Sequence, residues 1–101
     1  MNYYIYILYS NLIDRYYIGY SSDPWNRLIQ HNSNTKDKYT GRATDCELKS
    51  TFVVASETVA IQLERFIKKQ KSRNLIERMC KPDFIGTHQL SPLVRVPHLR
   101  D

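Results

Sequence analysis

The sequence predicts a small α+β domain, a three-stranded antiparallel sheet flanked by helices in the order β-β-α-β-α-α. Three observations carry that expectation. The chain has 101 residues, the size of one domain, with no room for a second independently stable core. Two runs near its start, Tyr3 to Tyr9 (YYIYILY) and Arg15 to Tyr20 (RYYIGY), are β-branched and aromatic and stand a short gap apart, so they fold back as an antiparallel hairpin. Further on, apolar residues recur at helical spacing behind residues that cap helices.

The first run is apolar on both alternating faces, which marks a central strand covered on two sides. Ser10 to Asp14 (SNLID) makes the connection. Ser-Ser-Asp-Pro then starts a helix, with Ser22 or Asp23 as the cap and Pro24 in the first turn. That helix runs to about Asn32 and turns Trp25, Leu28 and Ile29 inward. Residues 32–45 are polar, contain Gly41 and read as a basic loop. Glu47 to Ala55 is the third strand, built around Phe52, Val53 and Val54. Ser56 caps a second helix to about Gln70, with a core stripe of Val59, Leu63, Phe66 and Ile67. Ser72 caps a short third helix that Lys81-Pro82 stops. The domain is therefore expected over residues 1–82. Residues 83–101, with Gly86, Pro92 and Pro97 and no sustained periodicity, read as a poorly ordered tail.

Composition narrows the function. With 42% hydrophobic and 25% charged residues the chain is globular rather than disordered. A net charge of +5 points to a polyanionic partner, nucleic acid before an acidic membrane. Neither a secretory leader nor an apolar run of the ~20 residues that cross a bilayer is expected. Cys46 and Cys80 belong to no Cys/His cluster, which argues against a zinc site and for free thiols in a reducing cytoplasm.

Several residues suggest chemistry, each beside a plainer reading. A short hairpin loop centred near Leu12 puts Tyr6 opposite Tyr17, so two phenols share one face. Tyrosines also simply favour strands. Gly19, inside a strand, marks a bulge or a close approach. Arg27 and His31 stand one turn apart on a helix face away from the expected core stripe. A guanidinium beside an imidazole suits a phosphate, although the same face suits plain solvent. Glu64 lies at the edge of the second helix's apolar stripe, where a carboxylate can hold magnesium or pair with Lys68 one turn on. Lys68, Lys69, Lys71 and Arg73, with Lys36, Lys38 and Arg42 in the loop, form basic groups able to grip phosphates.

Taken in order, YYIYIL (3–8), YYIG (16–19), RLIQHN (27–32), Glu64 and KSRNLIE (71–77) resemble the GIY-YIG nuclease superfamily. The resemblance covers residue 3 to about 81. It is strongest to the compact single-domain bacterial branch, itself similar to the N-terminal nuclease domain of the excision-repair nuclease. Two positions depart from the pattern: Tyr4 replaces the first glycine, and Tyr20 stands where repair members carry a lysine. The resemblance implies a cytoplasmic, DNA-repair type of endonuclease that hydrolyses DNA with one Mg²⁺ or Mn²⁺. With no second domain expected to read bases, sequence specificity is expected to be low, or set by a partner or by the structure of the DNA. The resemblance makes Tyr17 the general base or the positioner of the attacking water, Tyr6 its hydrogen-bonding partner and Arg27 the stabiliser of phosphate charge. His31 becomes an aid to proton transfer or phosphate binding, and Glu64 the metal ligand. A free tyrosine titrates near pH 10, so a tyrosine base needs positive charge close by. The alternative is a catalytically inactive nucleic-acid-binding module on the same fold.

Overall fold

The computed structural model describes residues 2–33 and 43–97. Strands β1 (Tyr3–Ser10), β2 (Arg15–Ser21), β3 (Glu47–Val54) and β4 (Val94–Val96) join in one antiparallel sheet of order β2-β1-β3-β4. Helix α1 (Pro24–Ser33) follows the hairpin, and α2 (Glu57–Gln70) and α3 (Arg73–Met79) follow β3. Among the described residues the sheet thus has four strands where three were expected.

Strand β1 is central, and its alternation explains the layers. Ile5 and Ile7 point to one face, where Phe52 and Val54 of β3 join them under Ala60, Leu63 and Ile67 of α2 and Met79 of α3. Tyr6 and Leu8 point to the other, where they pack with Leu48, Trp25 and Leu28 beside α1. An alternating strand with helices on both sides can afford no polar face, which is why YYIYILY carries none. The helix starts follow their caps. Ser56 Oγ accepts from the Val59 N–H, Ser72 Oγ from the Leu75 N–H, and Asp23 Oδ1 from the Asn26 N–H.

The hairpin register differs from expectation by two residues. Tyr6 faces Gly19, and Tyr17 faces Leu8. The last pair is Ser10 with Arg15, which leaves Asn11 to Asp14 in the turn. That turn is held by two carboxylates. Asp14, at a φ of 52°, accepts from Tyr9 Oη and from the Arg73 guanidinium, tying the hairpin to α3. Asp45 accepts from Ser10 Oγ at 2.6 Å and from the Leu12 N–H at 3.0 Å. The Tyr9 and then the Arg73 hydrogen bonds hold the Asp14 carboxyl below the ordinary carboxylate range, and those from Ser10 and Leu12 do the same for Asp45. Because folding favours their charged forms, both contribute stability above the unfolded value near pH 4. That contribution drains away as pH falls through the lower folded values. Acidification from pH 5 toward pH 2 should therefore lower the urea midpoint more in the wild type than in Asp14→Asn/Asp45→Asn. Equal acid sensitivity would remove the two carboxylates from the cause.

The segment expected to be a tail is structured in its described part. A 3₁₀ turn, His88–Leu90, precedes β4, and Leu90 and Leu93 enter the core. Arg95 of β4 donates to the carbonyls of Met79 and Lys81 and lies over the Phe52 ring, 5.2 Å from its centroid. The end of α3 leaves carbonyls without helical partners, and a guanidinium suits both them and the helix dipole. Neither Cys46 nor Cys80 forms a disulfide, and burial pushes the Cys80 thiol up to about 11.

Candidate active site

Strand β2 is a sheet edge, and side chains from both helical layers meet there. Its YIG stretch makes this possible. A Cβ on Gly19 would lie 2.4 Å from Tyr6 Oη and 2.6 Å from Cζ, so the glycine is the gap across which the Tyr6 phenol reaches the edge. The expectation of a close approach at Gly19 is met by Tyr6 itself.

Helix α1 turns differently from the sequence reading. Pro24 and His31 are its buried residues, Trp25 and Leu28 are half-buried, and Ile29 is 64% exposed. Positions 24, 28 and 31 share one helix face, so the imidazole looks into the protein while Ile29 looks out. His31 meets the Tyr17 ring edge-on at 4.8 Å between centroids. Arg27 is exposed and reaches the β2 edge.

A cleft of about 560 Å³ opens at that edge, lined among others by Tyr6, Gly19, Arg27, Glu57, Glu64 and Lys68. Arg27 comes from the α1 layer, Tyr6 from the central strand and the carboxylates from α2 on the opposite face. Glu64 has a side chain only 20% exposed, and its Oε1 lies 3.4 Å from Lys68 Nζ. Glu64 therefore faces the cleft and pairs with the lysine one turn on. Glu57, two helical turns before Glu64, was missed. A second carboxylate at that spacing on one face was its available signal.

Tyr17 borders a second depression, which meets the cleft at Ile18 and Lys68. Tyr17 and Gly19 share a β2 face, so Tyr17 is a diagonal neighbour of Tyr6 rather than its direct partner. Its phenol oxygen accepts from the Ala43 N–H at 3.5 Å, and the Arg15 guanidinium lies 5.4 Å from its ring centroid. Three residues beyond Ala43 the chain is clamped to α1. Asn32 Nδ2 donates to the Cys46 carbonyl, and the Cys46 N–H donates to Asn32 Oδ1, each at 2.9 Å. These bonds join the end of α1 to the start of β3. Arg15 and the Ala43 N–H were not foreseen, because both reach Tyr17 through tertiary placement.

Of the expected phosphate-gripping residues, Lys36, Lys38 and Arg42 lie outside the described residues. Lys68, Lys69 and Lys71 are exposed. Arg73 is engaged otherwise: it donates to the Asp14 carboxylate and carbonyl and to Glu77, and stacks over Tyr16. It is a post between α3 and the hairpin. Among the described residues, no group of three or more His, Cys, Asp or Glu side chains gathers as a metal cluster.

A basic α+β domain that collects a phenol, a guanidinium and a carboxylate at one sheet edge belongs among the compact nuclease folds. The family profile described as the GIY-YIG catalytic domain matches residues 2–77, and the chain belongs to the GIY-YIG family. No curated protein and no solved structure matches the chain. Among the described residues no helix is long and apolar enough to cross a membrane.

The contact at Gly19 makes a direct prediction. Gly19→Ala should fold yet lose about 1–3 kcal/mol, the usual cost of overpacking. Adding Tyr6→Leu, which removes the ring the new methyl strikes, should restore part of that loss. Purely additive losses in chemical denaturation would show that the two side chains do not compete for space.

Proposed function

We propose that the chain is an endonuclease that hydrolyses phosphodiester bonds of DNA, with one divalent cation held by Glu64 and Tyr17 as general base. One observation carries the reading: Tyr6, Arg27 and Glu64, from three elements and both sides of the sheet, line a single cleft beside Tyr17.

Each role follows from what the group can do. The Arg27 guanidinium offers a planar fork of donors to two phosphate oxygens. Tyr17 removes a proton from the attacking water, with the Arg15 cation near its ring and His31 packed against it to fix its orientation. Tyr6 presents its hydroxyl at the Gly19 gap and aligns water or phosphate by hydrogen bonding. Glu64 and Glu57 are hard oxygen donors, the type magnesium and manganese take while keeping several waters. A cation bound there would stabilise charge on the phosphate and on the leaving oxygen. Lys68, Lys69 and Lys71 hold flanking phosphates without reading sequence.

The test is nicking of supercoiled plasmid. Cleavage should require magnesium or manganese and stop with a chelator. Protein that retards the DNA but leaves it intact under every cation would replace this reading with the inactive binding module.

A further inference from the structure

Strand β2 carries two rows of side chains. Tyr16, Ile18 and Tyr20 turn toward the core under α2 and α3. Arg15, Tyr17 and Gly19 turn toward α1, opposite Ser10, Leu8 and Tyr6 of β1. Arg27 reaches this second row at its Gly19–Ser22 end. Arg15 stands at the other end, four positions or about 13 Å from Gly19, with Tyr17 between.

Arg15 differs from the arginines that the protein spends on itself. Arg73 is bound by Asp14 and Glu77, and Arg95 by the carbonyls that end α3. Arg15 is exposed, and its guanidinium lies over the Tyr17 ring, 5.4 Å from the centroid. That contact draws on the cation's attraction to the ring and uses none of its N–H donors. The two carboxylates near it by sequence or pairing are already engaged. Asp14, the preceding residue, accepts from Tyr9 and Arg73 on the α3 side. Asp45 accepts from Ser10, which lies opposite Arg15, and from the Leu12 N–H. Among the described residues no carboxylate forms an ion pair with Arg15. A guanidinium steadied by a ring, with its donors unspent, is suited to an anion and loses little freedom in binding one.

A nucleic-acid backbone supplies anions at the right interval. Successive phosphates of one strand rise ~3.4 Å along a duplex, so the gap of about 13 Å spans at most about four nucleotides. We propose that Arg15 binds a backbone phosphate flanking the scissile one. The cut strand then runs along the α1-facing row of β2, from Arg27 past Tyr17 to Arg15. The proposal rests on the nuclease reading and adds to it a contact and a path. The rival role for Arg15 is to act only through Tyr17, as a cation against its ring. The two roles give different signatures. A flanking contact is made equally before and during the reaction, so losing it weakens binding and spares the rate at saturation.

The experiment measures binding of a short DNA duplex by the full-length Glu64→Gln protein, without divalent metal, over a range of salt. Adding Arg15→Gln should weaken binding about tenfold or more at low salt. It should also reduce the slope of log affinity against log salt by about 0.9, the share of one phosphate. Arg15→Lys should recover that slope. Arg65→Gln removes the same charge from an exposed position of α2 outside the cleft, and should leave the slope intact. With Glu64 restored and magnesium present, the single-turnover rate of Arg15→Gln at saturating protein should stay within about threefold of wild type. An unchanged slope in Arg15→Gln would overturn the contact, and so would an equal loss in Arg65→Gln. Slow cutting at saturation with an unchanged slope would assign Arg15 to Tyr17, and the nuclease reading would stand. A reduced slope in a protein whose wild type cuts nothing would keep the contact and end the nuclease reading.

Discussion

Glu64→Gln is expected to lower cleavage by about a thousandfold, since a metal ion's charge stabilisation is worth several kcal/mol and each ~1.4 kcal/mol is tenfold in rate. The prediction is sharp because Glu64 also pairs with Lys68, and the two roles fail differently. An i,i+4 ion pair contributes only about 0.2–0.5 kcal/mol, so if pairing were its whole purpose the glutamine variant would cut almost normally. Glutamine keeps the shape and one oxygen but loses the charge that draws a divalent cation. Cation affinity, followed by calorimetry with Mn²⁺ on the protein alone, should fall with the rate while DNA affinity is kept. Lys68→Gln gives the contrasting case, with weaker DNA binding and cation affinity retained. If Glu64→Gln and Lys68→Gln behaved alike, the ion pair would be the relevant unit and the metal assignment would be lost.

Much of this architecture can be read from local chemistry. The serine caps of α2 and α3 are local, and so is the two-faced apolar pattern of β1, which requires a central strand. The hairpin register shows where such reasoning stops. Placing Tyr6 opposite Tyr17 instead of Gly19 is an error of two residues, and the side-chain period of two leaves every residue on its correct face. Both phenols were therefore assigned to the right side of the sheet, and the Gly19 contact was given to no partner. Strand β4 escaped because it has only three residues and closely follows Pro92. What holds it is Arg95 on the carbonyls ending α3, an interaction that no periodicity encodes. His31 is expected beside Arg27 on a face away from the core, because an Arg-xxx-His spacing shows a shared stripe without saying which way it faces. The packing of Pro24 and Leu28 decides that, and it turns the imidazole inward.

The meeting of Arg27 with Glu64 is the least local feature. Helices α1 and α2 cover opposite faces of the sheet, so their side chains can approach only around an edge. Strand β2 supplies the edge, and Gly19 lowers its profile where the cleft lies. Antiparallel pairing of β1 with both β2 and β3 leaves β2 outermost, and this topology turns two separate helix faces into one site.

Tyr17→Phe is the second substitution with a large expected effect. Loss of a positioned general base typically costs about 10²–10⁴ in rate, and here only one oxygen is removed. The phenylalanine ring can keep the edge-on contact with His31 and the Arg15 guanidinium, so the fold should survive with a small change in stability. The Ala43 N–H loses its acceptor in the variant, but a hydrogen bond of 3.5 Å is weak to begin with. Affinity for DNA and for Mn²⁺ should remain, because Arg27, the lysines and Glu64 are untouched. Tyr6→Phe separates the two phenols: with Tyr17 as base, removing the Tyr6 hydroxyl slows cleavage less than removing that of Tyr17. Single-turnover rates on one plasmid substrate compare the variants directly. The reverse order, Tyr6→Phe the slower enzyme, would move proton abstraction to the hydroxyl at the Gly19 gap and leave Tyr17 as its support.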